Sequence, residues 1–140
     1  MSLASCRCVA LLLCVLVSGC ATTYTSPDAS NFSASQLGTL EHPDPVHSGV
    51  VIEQIDGKWR GTGIITSYKL TPGRHSVGAR ATAVFVNSAF YQGAKRAVRW
   101  FDVSPGAHYV IETKIDTAAL RWNFWIIDKN TGQRVDRNHP

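Results

Sequence analysis

The sequence has little cysteine in the region where a folded domain would use it. All four cysteines of the 140 residues lie at or before position 20, at Cys6, Cys8, Cys14 and Cys20. Residues 21–140 therefore carry no thiol, which excludes disulfides, thiolate metal sites and cysteine nucleophiles from that part of the chain. A small domain of this kind depends on its packed core alone.

Long apolar runs are also absent. The run at residues 9–17 (VALLLCVLV) has nine residues, whereas a transmembrane helix needs about 20 to cross the hydrocarbon core. Its place, after the single charge of Arg7 and before small residues, is typical of the apolar region of an export signal. We therefore expect residues 1–19 to be a signal peptide that is removed.

Residues 16–20 (LVSGC) resemble the lipobox of bacterial lipoproteins. The resemblance implies cleavage between Gly19 and Cys20 and a diacylglycerol thioether on Cys20, which would anchor the protein to a membrane through two or three acyl chains such as palmitate. Ala21, in place of an aspartate, implies sorting to the outer membrane, facing the periplasm. The alternative is an ordinary secretory signal that contains a cysteine.

The charge of the chain has no strong excess of one sign. There are 14 Lys and Arg and 10 Asp and Glu, and loss of Arg7 with the signal leaves 13 against 10. The excess is scattered, so it favours solubility and gives almost no support for nucleic-acid binding.

Residues 20–46 are rich in Thr, Ser, Ala, Asp and Pro and have few apolar residues at any regular spacing. Such a segment buries too little apolar surface to offset its chain entropy. We expect a lipidated N-terminus and flexible tether over residues 20–46, with at most a short strand at 36–41.

Residues 47–140 show strand patterns and no convincing helical period. Strands are predicted at 50–55, 64–70, 75–86, 97–103, 108–116 and 120–128, separated by turns that contain Gly or Pro-Gly. The predicted fold is all-β, a single antiparallel two-layer β-sandwich of about six to eight strands.

The last two strands differ in their patterns. Tyr109, Ile111, Thr113 and Ile115 alternate with polar residues, as in a sheet with one wet face. The strand at 120–128 is apolar on both faces. We therefore expect either that it is central in its sheet or that its outer face is in contact with something else.

Two segments share the pattern apolar-[Ser/Thr]-Pro-Gly-x-His-x-Val, at 70–77 (LTPGRHSV) and 103–110 (VSPGAHYV). Both are predicted to form hairpin corners at type II turns. Together with IEQIDGK at 52–58, they resemble PEGA-like β-sandwich domains of bacterial envelope proteins over residues 48–116. The chain departs from that family where it has Thr-Pro-Gly-Arg in place of Pro-Glu-Gly. The resemblance implies a small envelope lipoprotein, a family of unknown function, and supplies no catalytic residues.

Motifs of catalysis and cofactor binding are missing: the chain has no Gly-x-Ser-x-Gly, phosphate loop, dinucleotide fingerprint or His-Glu-x-x-His. We expect no enzyme activity and no cofactor. A small glycan hydrolase is the remaining catalytic alternative, because it needs two carboxylates about 5 to 10 Å apart. The carboxylates considered for it are Asp56, Asp102, Asp116 and Asp128. Asp56 precedes a turn glycine, and Asp116 and Asp128 fall at strand ends, where aspartate commonly binds its own backbone, so we expect these carboxylates to be structural.

Two histidines follow the Pro-Gly turns at equivalent positions. His75 and His108 are weak candidates for a zinc or copper site, for which a third ligand such as His42, His47 or Asp102 would be required. Histidine also caps turns and lines sheet edges, so our prediction is that the chain has no metal.

Aromatic residues are the main candidates for binding. Exposed tryptophans offer large rigid contact area, and we expect Trp59 and Trp125 to lie outside. The segment 87–96 (NSAFYQGAKR) joins two strands and carries Phe90, Tyr91, Lys95 and Arg96, which makes it the predicted contact loop. The competing interpretation is that these large side chains fill the core.

The sequence therefore predicts a lipid-anchored cell-envelope protein with a non-catalytic binding or structural role. Its expected partners are the membrane, through the lipid on Cys20, and an envelope protein or glycan. A carbohydrate- or peptidoglycan-binding module is the first alternative.

Overall fold

The structure, a computed structural model, describes residues 23–82, 96–119 and 121–140. Two β-sheets pack face to face in this part of the chain, which confirms the predicted all-β sandwich. The expected signal peptide, Gly19, Cys20, and Phe90, Tyr91 and Lys95 of the predicted contact loop lie outside the described residues.

Nine strands form the two sheets within the residues that the structure describes. The five-stranded sheet contains β1 (Thr23–Thr25), β2 (Gly38–Glu41), β5 (Ser67–Leu70), β8 (His108–Asp116) and β9 (Arg121–Asp128), in the spatial order β1-β5-β2-β8-β9. The four-stranded sheet contains β3 (Val50–Ile55), β4 (Lys58–Trp59), β6 (Gly73–Ala81) and β7 (Ala97–Val103), in the order β4-β3-β6-β7. A 3₁₀ turn at Pro27–Asn31 follows β1. No helix within the described ranges is both long and apolar enough to cross a membrane.

The core lies between the sheets and is built from alternate residues of each strand. Phe101 of β7 and Tyr109 of β8 meet across it edge to face, with ring centroids 5.3 Å apart and planes at 81°. Phe124 and Ile126 of β9 are fully buried, and burial of such side chains contributes about 1.5 to 3 kcal/mol each. Further buried members of the core are Leu40, Val50, Ile52, Ile55, Tyr68, Leu70, Val77, Ala79 and Ile111.

The sheets are not antiparallel throughout. The four-stranded sheet is antiparallel, but β1 runs parallel to β5 and β2 runs parallel to β8 in the five-stranded sheet. The parallel pairs arise because the chain crosses repeatedly from one sheet to the other, so neighbouring strands come from distant parts of the sequence.

The folded domain begins earlier than expected, which corrects the predicted tether at 20–46. Thr23 starts β1, and β2 lies inside the five-stranded sheet between β5 and β8. Leu40 of β2 is fully buried, and the backbone N–H of Thr39 donates to the carbonyl of Ala107 at 2.9 Å. The partners of β2 lie about 30 and 70 residues further along the chain, so local composition did not reveal them.

The two Pro-Gly turns are crossovers between sheets and not the hairpin corners expected from the sequence. Thr71-Pro72-Gly73 leads from β5 to β6, and Ser104-Pro105-Gly106 leads from β7 to β8. They lie side by side because Gly73 pairs with Val103 at the edge of the β6–β7 ladder. We call this the Pro-Gly end of the sandwich.

The opposite end carries the start of the described chain. Thr23 pairs with Ser67, the first residue of β5, and Ser67 also pairs with Glu41, the last residue of β2. Two crossovers, residues 42–49 and 60–66, pass between the sheets here. The β8–β9 hairpin points the same way and extends past this level, from Val110 opposite Glu41 to Asp116. We call this the N-terminal end.

The last strand is an edge strand, so the first of its two expected placements, a central position in the sheet, is wrong. The C-terminal residues run beside β9, where the N–H of Val135 donates to the carbonyl of Ile126 at 2.9 Å. They then reach β7, where Trp100 and Arg137 exchange two backbone hydrogen bonds of 2.9 Å. This segment closes one side of the sandwich and covers two strand edges that would otherwise be exposed.

Candidate functional site

The two tryptophans expected outside lie on opposite faces of the sandwich. Trp59 is 60% exposed and belongs to the outer face of the four-stranded sheet. Trp125 is half-buried on the outer face of the five-stranded sheet, where it pairs with Glu112. The structure therefore brings Trp59 and Arg96 to one face and places Trp125 on the other.

A groove lies beside Trp125 at the tip of the β8–β9 hairpin. Cross-strand pairing sets Asp116 opposite Arg121 and Lys114 opposite Asn123, next to the Trp125 pair. The volume of this open groove is about 310 Å³. We call this site the hairpin groove, and it is lined by Lys114, Asp116, Arg121, Trp122, Asn123 and Trp125.

The aromatic wall of the groove is held by the core. Trp122 is half-buried and stacks on Phe124, with ring centroids 6.3 Å apart and planes at 10°. Phe124 is itself fully buried and lies under the guanidinium of Arg99, which is 5.5 Å from the ring centroid. A tryptophan fixed in this way presents its surface at low entropic cost.

The polar wall of the groove is held from the neighbouring sheet. Arg99 of β7 donates to the side-chain oxygen of Asn123 and to the backbone carbonyl of Phe124. Asp136, whose side chain is fully buried, pairs with Arg99 at 3.3 Å and accepts the backbone N–H of Ile126 at 2.8 Å. Burial lowers the pKa of Arg99, and the charge of Asp136 opposes that shift. Because the Asn123 oxygen is engaged, its amide N–H groups are what it can offer a ligand.

The cations of the groove are available to a ligand. Lys114 and Arg121 form no ion pair with any residue that the structure describes. Asp116 accepts the backbone N–H of Ala119 at 2.8 Å through one carboxylate oxygen. The groove thus combines aromatic surface with amide donors and charges of both signs.

The second surface is flat and surrounds Trp59. We call it the Trp59 surface, and its residues are Trp59, Gln54, Gly78, Val98 and Arg96. A Cβ placed on Gly78 would lie 3.2 Å from Cδ of Arg96 and 3.3 Å from Cβ of Gln54. Because Gly78 has no side chain, the aliphatic part of Arg96 can pack directly on the sheet.

Arg96, which was predicted to bind a partner through its charge, forms an ion pair within the domain instead. A β-bulge between Ile52 and Gln54 accommodates Glu53, which is only 7% exposed. Arg96 pairs with one carboxylate oxygen of Glu53 at 2.9 Å, and Arg80 pairs with the other at 2.7 Å. Arg96 therefore contributes its position and its apolar stem to the Trp59 surface more than its charge.

The two candidate metal ligands have different environments. His75 is 6% exposed on β6, whereas His108 is exposed at the start of β8 in the other sheet. Within residues 23–82, 96–119 and 121–140, no three His, Cys, Asp or Glu side chains cluster closely enough to hold a metal ion.

His75 connects the turn at Asp56 with the turn at Thr71 through hydrogen bonds. Its Nδ1–H donates to the Asp56 carboxylate at 2.7 Å, and its Nε2–H donates to the carbonyl of Thr71 at 2.7 Å. Burial lowers the pKa of His75, but the hydrogen bond and charge of Asp56 outweigh burial, so the pKa is raised. Burial raises the pKa of Asp56, and the hydrogen bonds from His75 and the Ser76 N–H reverse that effect, so the pKa is lowered. Since both ring nitrogens face acceptors, the protonated imidazolium fits this site.

The carboxylates considered for glycan hydrolysis all serve local structure. Asp56 binds His75, and Asp102 pairs with Arg74 at 3.0 Å and with Arg137. Asp128 accepts the backbone N–H groups of Asn130 and Thr131 at 2.8 and 3.0 Å, and Asp116 caps its own turn as described above. Asp116 and Asp128 make the local backbone contacts that their positions at strand ends indicated. The ion pairs of Asp102 and the bond between Asp56 and His75 join distant parts of the chain.

Of the residues that line the groove, Trp125 was predicted from the sequence as a binding residue, and Asp116 was considered only as a carboxylate for hydrolysis. Lys114 and Asp116 were assigned to the wet face of their strand, and Asn123 and Trp122 to the next strand. A hairpin register starting from the Asp116–Arg121 pair would have grouped the charged residues with Asn123 and Trp125, because residues directly opposite each other share a face. Trp122 pairs with Ile115 on the side that faces the core.

Comparison with protein-family models, with curated proteins and with solved structures finds no match to the chain. The site therefore stands on its own geometry.

Proposed function

We propose that the mature chain is a lipid-anchored, non-catalytic binding protein of the bacterial cell envelope, sorted to the outer membrane, and that the hairpin groove binds a peptidoglycan-type glycan. The lipobox-like LVSGC at 16–20 supports the anchor. The PEGA-like turn motifs agree with an envelope sandwich domain. The observation that carries the ligand assignment is the pairing of Trp122 and Trp125 with amide and charged side chains in one groove.

The chemistry of the groove suits such a glycan. Sugar rings offer flat C–H faces that pack on tryptophan, and their hydroxyl and acetamido groups pair with donors such as the Asn123 amide. Peptide stems of peptidoglycan add carboxylates and amines, which match Lys114, Arg121 and Asp116. A neutral storage polysaccharide would leave these charges unused.

Titration calorimetry with soluble disaccharide-peptides from peptidoglycan tests the assignment on the lipidated protein in detergent. Trp125→Ala should weaken binding at least about tenfold, since a central aromatic contact contributes about 1 to 2 kcal/mol or more. Trp59→Ala is the matched control because it removes a more exposed tryptophan from the opposite face, and its affinity should be unchanged. Equal affinities for all three proteins, or no heat of binding at all, would overturn the glycan assignment.

A protein partner is the second candidate function, and the exposure of Trp59 favours it. Trp59 lies on a two-residue edge strand, with Val98 also exposed on the same surface. An exposed tryptophan beside aliphatic surface is typical of a contact hot spot. Cross-linking in native membranes would then give an adduct that Trp59→Ala abolishes and Trp125→Ala retains.

A further inference from the structure

The folded domain starts very close to the proposed lipid anchor. Only three residue steps separate Cys20 from Thr23, the first residue of β1. Three steps span at most about 11 Å even when fully extended. A flexible segment from 20 to 46 would have reached roughly 90 Å, so an anchor on Cys20 keeps this domain beside its membrane.

The end of the sandwich nearest the anchor is the N-terminal end. Thr23 lies level with Ser67 and Glu41, where β5 begins and β2 finishes. The N–H of His42 donates to the carbonyl of Thr66 at 2.8 Å, which ties the two crossovers together at this end. Residues 42–49 and 60–66 therefore surround the point where the anchor joins the fold.

These two crossovers expose aliphatic side chains. Val46 is 46% exposed and Ile64 is 58% exposed, and they are the two most exposed large aliphatic residues in the described chain. Two such residues alone would hold a domain on a bilayer only weakly. An anchor within about 11 Å makes the contact intramolecular, which raises the effective concentration of the surface and favours its insertion.

The opposite end exposes more charge than the crossover that carries Val46, where Asp44 pairs with His47. Arg74, Asp102 and Arg137 form exposed ion pairs there, and Asp56 is exposed at the adjoining turn. The nine residues of β6 separate the two ends by about 30 Å. Charged pairs in water gain nothing from contact with hydrocarbon.

We infer that the N-terminal end of the sandwich docks on the bilayer surface, with Val46 and Ile64 in contact with lipid and the Pro-Gly end facing away. This orientation rests on the proposed anchor at Cys20 and adds the membrane as a second partner of the folded domain. The hairpin groove points the same way, because β8 runs from the Pro-Gly end past Glu41 to Asp116, which pairs with Arg121 at the hairpin tip. Its ligand is therefore met next to the membrane.

Fluorescence quenching by lipid-attached nitroxides tests the orientation. The mature chain has no cysteine besides Cys20, so single labels can be introduced by Ile64→Cys at the N-terminal end and by Ser104→Cys, at an exposed position of the Pro-Gly end. The lipidated proteins are reconstituted in phosphatidylethanolamine–phosphatidylglycerol vesicles with the nitroxide near the headgroups. Quenching should be at least about threefold stronger at position 64 than at position 104. Equal quenching at both positions would overturn the docking.

Flotation of the same vesicles separates failure of docking from failure of the anchor. A protein that stays at the bottom of the gradient lacks the anchor, which defeats the proposed function as well. A protein that floats but shows equal quenching keeps the anchor and loses the orientation.

Variants that introduce aspartate test whether the side chains of Val46 and Ile64 contact the lipid. With a label introduced by Thr62→Cys, the double variant Val46→Asp, Ile64→Asp should lose most of the quenching, whereas the control Val98→Asp, on the outer face of the four-stranded sheet, should retain it. All three positions are exposed, so folding is expected to survive, and circular dichroism verifies it. Unchanged quenching in the double variant contradicts lipid contact through Val46 and Ile64.

Discussion

Each end of the sandwich buries one histidine, and the two ends do so in opposite ways. At the Pro-Gly end, His75 donates from both ring nitrogens, to Asp56 and to the Thr71 carbonyl, and its pKa is raised. At the N-terminal end, His42 is 1% exposed, and its pKa is lowered to about 4 because burial outweighs the charge of Asp44. His75 is held as a cation and His42 as a neutral ring.

The network around His42 fixes which nitrogen is protonated. The Ser48 hydroxyl donates to the carbonyl of Val50 at 3.0 Å, so it accepts from Nε2–H of His42 at 3.2 Å. Nδ1 of His42 has no hydrogen-bond partner in the described part of the chain. The Pro-Gly end is thus stabilised by a charged histidine, whereas the N-terminal end buries a neutral one and exposes Val46 and Ile64.

The largest expected effect is acid destabilisation through His42. Its pKa is 6.5 when unfolded and about 4 when folded, so the unfolded state takes up a proton first as the pH falls from 6.5. Stability present above pH 6.5 is therefore lost towards pH 4, by about 3 kcal/mol. Urea unfolding of His42→Gln, which can still donate to Ser48, should show a loss smaller by that amount.

The exposed His47 provides the control for this experiment. His47→Gln should retain the acid sensitivity of the parent protein, since the His47 side chain is 75% exposed. If His42→Gln and the parent protein lose the same stability between pH 6.5 and pH 4, His42 is not a buried neutral ring.

The second-largest expected effect concerns the His75–Asp56 pair at the Pro-Gly end. Asp56→Asn removes the negative charge beside His75 and should cost about 1 to 3 kcal/mol at pH 6, as expected for a hydrogen bond to a charged group. The contribution of His75 is complete below its unfolded pKa of 6.5 and is lost as the pH rises through its raised folded value. The cost of Asp56→Asn should therefore be smaller at pH 9.

Asp102→Asn is the matched control, because Asp102 lies at the same end in exposed ion pairs, which contribute about 0 to 1 kcal/mol. Unfolding midpoints at pH 6 and pH 9 provide the measurement. A cost of Asp56→Asn that grows with pH would reverse the assigned charge state of His75.

The smallest effect tests how closely the Pro-Gly end is packed. Gly106 and Gly57 have similar positive φ values of 67° and 72°, so alanine is strained equally at both. A Cβ at Gly106 would lie 2.9 Å from the Ser35 carbonyl oxygen, whereas one at Gly57 has nothing within 4 Å. Gly106→Ala should therefore cost about 1 to 2 kcal/mol more than Gly57→Ala in thermal or urea unfolding. Equal costs would mean that the 27–35 segment moves aside freely.

Local patterns predicted most of the strands. The strands Val50–Ile55, Ala97–Val103 and His108–Asp116 have the bounds expected from alternation and turn residues. The Asp56-Gly57 pair makes the tight turn that its sequence indicated, with positive φ at both residues. Here the residues that determine the structure are neighbours in the chain.

Long-range pairing was missed. β2 has four residues, and its stability comes from β5 and β8, so composition alone suggested a tether. The Pro-Gly motifs fix a turn, but whether the following strand returns to the same sheet depends on packing beyond the turn. The edge position of β9 depends on the C-terminal residues 133–137, which have no strand-like alternation.

The candidate site was predicted in part for the same reason. Trp125 stood out as an apolar residue on an outer face, and Trp59 as an exposed tryptophan. Arg99 and Asp136, which position Asn123 and β9, come from a different sheet and from the C-terminal segment. Arg96 could be recognised as a cation, but its pairing with Glu53 depends on a bulge that the sequence does not mark.

Mass spectrometry of the protein purified from bacterial membranes tests the lipid anchor most directly. We predict a mature chain that begins at Cys20 and carries a diacylglyceryl thioether and an acylated amino group. A free thiol at Cys20, or an amino terminus at any other residue, would contradict both the anchored function and the docking of the N-terminal end.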